Sequence, residues 1–209
     1  MSFRLRPLHF CGLAALACAL PLVAAAARPP TDPAQFHYES LPAAGSVETA
    51  IEAGGPLFEF KSGRSAYRAF RLPDAERPYL IEIRSLLQGG LEPLHARVLY
   101  PVAALLTDDF LVSRQTELES LRFDLPVFEQ AYAPAYRLTL GVDPAQGHER
   151  YLVVYTPASL LAPRVLPAAT TAEDASQAAR GAWLGAAPGG RLRITIVPNV
   201  GAPHEDSAP

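Results

Sequence analysis

Cysteine is nearly absent from this chain. Its 209 residues include two, Cys11 and Cys18, both within the first 27 positions. Once that segment is removed, disulfides, thiolate metal sites and cysteine nucleophiles are excluded. Lysine is scarcer still, with Lys61 alone among 18 basic residues. Twenty-one acids outweigh them, and a formal charge of -3 gives no basic patch for nucleic acid or anionic membrane.

Catalytic motifs are missing as well. Neither Ser62 nor Ser113 sits in a G-x-S-x-G elbow. His37, His95, His148 and His204 form no pair at zinc-helix spacing. Asp108-Asp109 reads as a turn, and Glu117 and Glu119 point in different directions on a helix. No oxygen-rich calcium loop is present. The expectation is a protein that is not an enzyme, with no cofactor, no metal and no catalytic residue.

The N-terminus has the pattern of a secretory signal peptide over residues 1–27. Arg4 and Arg6 supply the positive start, Leu8 to Val23 is mostly apolar, and Ala24 to Ala27 offers small residues for cleavage. Pro21 breaks the run, which is short for a membrane span of about 20 residues. The expected contact with membrane is therefore only transient, and the expected compartment is the periplasm of a Gram-negative bacterium. Cys18 opens a lipoprotein alternative, but Leu16 is misplaced for a lipobox and the apolar run continues past the cysteine. Loss of Arg4 and Arg6 with the leader moves the formal charge from -3 to -5. Residues 28–35 read as a flexible leader, 36–197 as a single β-sandwich domain, and 198–209 as a disordered tail rich in Gly, Pro and acids.

Alternation of apolar and polar residues defines the domain. Phe58 and Phe60 share a face, as do Phe70 and Leu72, and then Tyr79, Ile81 and Ile83. Leu94 to Tyr100, Tyr136 to Leu140 and Leu192 to Ile196 repeat the pattern, and Val102 to Leu106 is a short apolar run. Period-2 runs punctuated by Gly, Pro and Asp are the mark of antiparallel strands. Tyr151 to Tyr155 (YLVVY) is apolar on both faces, as a central sandwich strand should be. The expected fold is an all-β, jelly-roll-like antiparallel sandwich with one or two short surface helices. The helices are placed at Ser113–Leu121 and Ala172–Arg180. Phe58, Phe60, Phe70, Tyr79, Ile81, Ile83, Leu138, Val153 and Ile194 are expected in the core.

Aromatic residues are the remaining chemical resource. Trp183, the sole tryptophan, lies in the Gly-rich stretch GAWLGAAPGG. An indole exposed on such a loop would stack on the C–H face of a sugar; the alternative is a plug at the end of the core. Tyr132 and Tyr136 are open to the same two readings.

Several of these strands carry a shared pattern. It comprises Gly63 to Pro73 (GRSAYRAFRLP), Leu80 to Ser85, Val98 to Phe110 with its aspartate-aromatic turn, Arg137-Leu138-Thr139, and Tyr151 to Thr156 (YLVVYT). In these motifs, over about 36–197, the chain resembles the maltose operon periplasmic protein family (MalM). That resemblance implies an exported β-sandwich accessory protein of carbohydrate uptake, with maltodextrin or a transport component as partner. The family's helical C-terminal segment has no counterpart here, so self-association through it is not carried over, nor are any binding residues.

Overall fold

The computed structural model describes residues 30–88, 97–124, 134–161 and 185–198. A 3-10 turn, Pro33–Gln35, is capped by Asp32 Oδ1 accepting from the Ala34 N–H at 2.8 Å. The strands then run β1 (Tyr38–Ser40), β2 (Gly45–Ile51), β3 (Leu57–Phe60), β4 (Gly63–Arg71), β5 (Tyr79–Leu86), β6 (Arg97–Val98), β7 (Val102–Thr107) and β8 (Val112–Gln115). They continue as β9 (Arg122–Asp124), β10 (Ala135–Val142), β11 (Glu149–Tyr155), β12 (Gly185–Ala186) and β13 (Gly190–Pro198). A four-residue helix, α1 (Ala158–Leu161), follows β11.

Two sheets face each other. One has the order β4-β11-β7-β8, with β1 and β3 also paired to β4; the other runs β2-β13-β5-β10-β9. From β2 the chain crosses to β4, back to β5 and over to β7. It stays in that sheet for β8, returns through β9 to β10, and crosses to β11 and finally β13. The four-strand sets β4-β11-β7-β8 and β2-β13-β5-β10 are the two sheets of a jelly roll. Pairing is antiparallel except where β1 joins β4 and β12 joins β6.

Period-2 alternation explains which residues meet between the sheets. Phe70, Leu152, Val154 and Leu105 from one sheet pack on Ile81, Ile83, Leu138, Leu192 and Ile194 from the other. Ile81, Ile83 and Ile194 are wholly buried. Register places Ile83 opposite both Leu138 and Ile194, so three strands contribute to one layer.

Two expectations need correction. Ser113–Leu121 is not a helix: residues 112–115 form β8 against β7, and only Leu118–Ser120 makes a 3-10 turn. Its polar residues serve the neighbouring strand instead. Thr116 Oγ1 accepts from the Ala103 N–H at 3.0 Å, and Ser113 Oγ donates to Leu105 O at 3.1 Å. Those bonds belong to an extended edge and outweigh a weak helical propensity. Phe58 and Phe60 are also not between the sheets, whereas Val153 is buried in the core as expected. They lie in a second apolar cluster with Phe36, Tyr67, Ala69, Val102, Leu106 and Tyr155, and both phenylalanines are only half-buried. Residues 1–27, the Leu94–Ala96 part of the expected strand, the helix expected at Ala172–Arg180, and Trp183 lie outside the described residues.

The outer faces of the two sheets differ in chemistry. On the β2-β13-β5-β10-β9 sheet, Glu48 pairs with Arg193 at 2.6 Å and Arg191 at 3.4 Å. Asp124 meets Arg137 at 2.9 Å and Arg84 at 3.4 Å. This face is hydrated and needs no cover. The opposite outer face is apolar along β11 and β7 and is covered by aromatic rings.

The core assignment makes a stability prediction. Ile81→Ala removes a fully buried side chain and should lower unfolding free energy by about 2–5 kcal/mol, measured by denaturant titration. A change within about 0.5 kcal/mol, the range of ordinary surface substitutions, would contradict it.

Candidate functional site

The aromatic cover begins with β11. Tyr151, Val153 and Tyr155 share one face of that strand, and Leu152 and Val154 share the other. Sequence-distant rings come down on the outer set. Phe60 lies parallel on Tyr155 with centroids 3.7 Å apart, and Phe36 rests on Tyr67 at 4.2 Å. Phe58 meets Phe36 edge-on at 4.9 Å. These contacts form the deeper part of the cluster.

Towards the β7–β8 turn the same layer becomes more open. Tyr38 of β1, Tyr151 and Phe110 of the turn touch in sequence: 4.4 Å between the tyrosines, and 4.8 Å with near-parallel planes between Phe110 and Tyr151. All three remain partly accessible. Arg71, directly opposite Tyr151 in the register, places its guanidinium carbon 5.8 Å from that ring's centre. This is cation–π range.

Backbone strain marks the turn. Phe110 has φ 61°, and among the described residues no other non-glycine residue has positive φ. The left-handed region costs a bulky residue roughly 1–2 kcal/mol. Two turn bonds hold it there: the Phe110 N–H donates to Thr107 O at 3.1 Å, and Thr107 N–H donates to Leu111 O at 2.9 Å. The strained residue delivers its ring to Tyr151. Leu111 and Val112, immediately beyond, are 67% and 58% exposed.

Burial keeps the Tyr38 phenol protonated. Burial foremost, then the neighbouring Tyr151 and Tyr67, raise the Tyr38 phenol well above its ordinary range. Its hydroxyl donates to Pro33 O at 2.9 Å. Burial also raises Tyr67 and Tyr155. The patch presents flat apolar rings, phenol hydroxyls and one guanidinium. It can stack on a C–H face and donate hydrogen bonds; it brings no nucleophile beside a base.

A concavity lies where β8 faces the start of β5 and the end of β10. Arg114 of β8 reaches across to the other sheet, donating from Nη2 to Gly141 O at 2.6 Å, and also donates to Glu149 Oε2 of its own sheet at 3.2 Å. Burial foremost, then Glu149, pushes the Tyr79 phenol on its floor up to about 12.

Sequence reasoning favoured other residues. Trp183 and Tyr132 lie outside the described residues. Tyr136 packs against Tyr100 and Phe123, with centroids 5.2 and 5.1 Å away, apart from the Tyr38 patch. His37 and His148 are exposed, and among the described residues no group of three or more His, Cys, Asp or Glu could hold a metal. Tyr38, Arg71, Phe110 and Tyr151 were passed over. The available signal was the aromatic directly after Asp108-Asp109, an unusual turn position. Comparison with family models, curated proteins and solved structures finds no match for this chain.

The buried phenols predict an alkaline limit to stability. Folding raises the Tyr79 pKa from its ordinary 10.0 to about 12, so the folded state holds this proton more tightly than the unfolded chain. The stabilisation is complete below pH 10 and is lost as pH rises through about 12. Melting temperature should fall across that window, and Tyr79→Phe should flatten the fall. An identical pH profile in the variant would contradict the assignment.

Proposed function

We propose that this chain is an exported, non-catalytic periplasmic accessory protein of maltose or maltodextrin uptake. It holds a glucan, or a component of the transport machinery, through Tyr38, Phe110 and Tyr151. The observation carrying this reading is the run of three partly open rings, with Arg71 beside the middle one and Phe110 held in a left-handed backbone. A pyranose offers an apolar C–H face to such rings and hydroxyls to a guanidinium. The leader-like N-terminus and the family resemblance support the compartment and the pathway. The fold by itself does not, because jelly rolls serve many functions.

A second reading has its own observation. Leu111 and Val112, next to Phe110, are large and exposed. Exposed apolar residues at a turn suit a protein contact, which favours a structural or interaction module of the cell envelope without a sugar ligand.

Binding should be weak, with a Kd on the order of 1 mM, because few rings offset the cost of immobilising a flexible glucan. Each stacked ring contributes about 0.5–1.5 kcal/mol. Calorimetric titration with maltodextrin should therefore show Phe110→Ala weakening affinity roughly two- to tenfold. Trp183, the sole tryptophan, is a further proposed contact, and its emission should shift with sugar. No heat and no emission change at saturating maltodextrin would reject the sugar reading. Capture of an envelope component that depends on Leu111 and Val112 would then favour the second.

A further inference from the structure

We infer that the concavity around Arg114 is a second subsite for a neutral, polyhydroxylated ligand, linked to the aromatic patch through β8 and β11; this rests on the patch being a carbohydrate platform. Its volume is about 370 Å³, within the roughly 300–1,000 Å³ of small-molecule sites. It forms where the edge strand β8 faces the ends of β5 and β10.

Its charges are arranged against anions. Glu149, with a side chain only 10% exposed, accepts from Arg114 Nη2 at 3.2 Å and shares the single Ser113 Oγ proton with Leu105 O, so its carboxylate is balanced within the wall. Arg114 spends Nη2 on Gly141 O and Glu149. A guanidinium carries five N–H groups, and this side chain is 48% exposed, so donors remain at the mouth. Asp143 adds a second negative charge, with Oδ1 accepting from the Ala145 N–H at 3.0 Å. One cation and two carboxylates disfavour phosphate or carboxylate ligands. Gln146 supplies both a donor and an acceptor, and Leu80, 43% exposed, supplies an apolar wall. Alternating donors, acceptors and an apolar wall match the hydroxyls and C–H face of a sugar.

Two covalent connections join this concavity to the patch. The β7–β8 hairpin carries Phe110 and Arg114, and β11 carries Tyr151 and Glu149. A register shift between Glu149 and Tyr151 turns the two side chains to opposite faces of the sheet, Tyr151 outward and Glu149 toward Arg114 and the pocket. The patch and the pocket therefore open on opposite faces of this sheet, and each takes its own sugar unit.

The test is a titration of the isotopically labelled protein followed by NMR, with maltotriose and cellotriose as α- and β-linked probes and inorganic phosphate as the anionic one. The expected result is that a trisaccharide shifts the Gln146 and Gly147 amides together with the Tyr151 and Phe110 rings. Gln146→Ala, at an exposed turn position, should weaken that trisaccharide at least threefold with an unchanged melting temperature. Ring shifts without Gln146 or Gly147 shifts would overturn the second subsite and leave the aromatic reading standing. Amide shifts without ring shifts would uphold the pocket and remove the platform. Neither trisaccharide shifting either set would overturn both. Phosphate alone shifting the amides would overturn the neutral-ligand assignment.

Discussion

Strand β11 is the constraint on which this fold depends. Leu152 and Val154 face the other sheet, and Val153 and Tyr155 face outward, yet all four are buried. Central position in its sheet accounts for only one of those faces. The other would form an apolar patch in water, a liability for a soluble protein. The chain resolves this with Phe36 and with the rings of Tyr38, Phe58 and Phe60, which β1 and β3 carry from beside β4 onto that face. The cover is densest over Tyr155 and thinnest over Tyr151, where the candidate site lies.

The sandwich is consequently two-sided in chemistry. One outer face is a lattice of Arg and acid pairs, and the other is a layer of rings. The two sheets are joined near their open sides by arginines. Arg68 of β4 donates from Nε to Ala50 O of β2 at 2.8 Å and from Nη1 to Glu39 at 2.8 Å. Arg114 of β8 makes the equivalent reach to Gly141 of β10. Each satisfies a backbone carbonyl on the opposite sheet with a charged donor, which makes a stronger hydrogen bond than a neutral one. Arg114 thereby fixes the wall of the pocket and the spacing between the sheets there.

Much of the fold was legible because the side-chain period of a strand is two. Tyr79, Ile81 and Ile83 could face only one way together, and Ser62-Gly63, Asp108-Asp109 and Asp143-Pro144 all lie at turns. The residues 113–121 misled because a polar edge strand has no apolar face to alternate, so its composition resembles a surface helix. Phe58 and Phe60 were identified as buried-face residues, but alternation does not tell which of two apolar clusters a face joins. The aromatic patch was not legible. It assembles residues 38, 71, 110 and 151 through a parallel pairing and a strained turn, and no local pattern encodes either.

Native-state hydrogen exchange tests the central claim, that β11 is sealed on both faces and organises the sandwich. If it is, the amides of Leu152 to Tyr155 exchange only through global unfolding, with protection equal to that of Ile83 and Ile194. Exchange of those β11 amides by local opening, well ahead of β5 and β13, would show that the aromatic layer is a loose cover and would contradict the account.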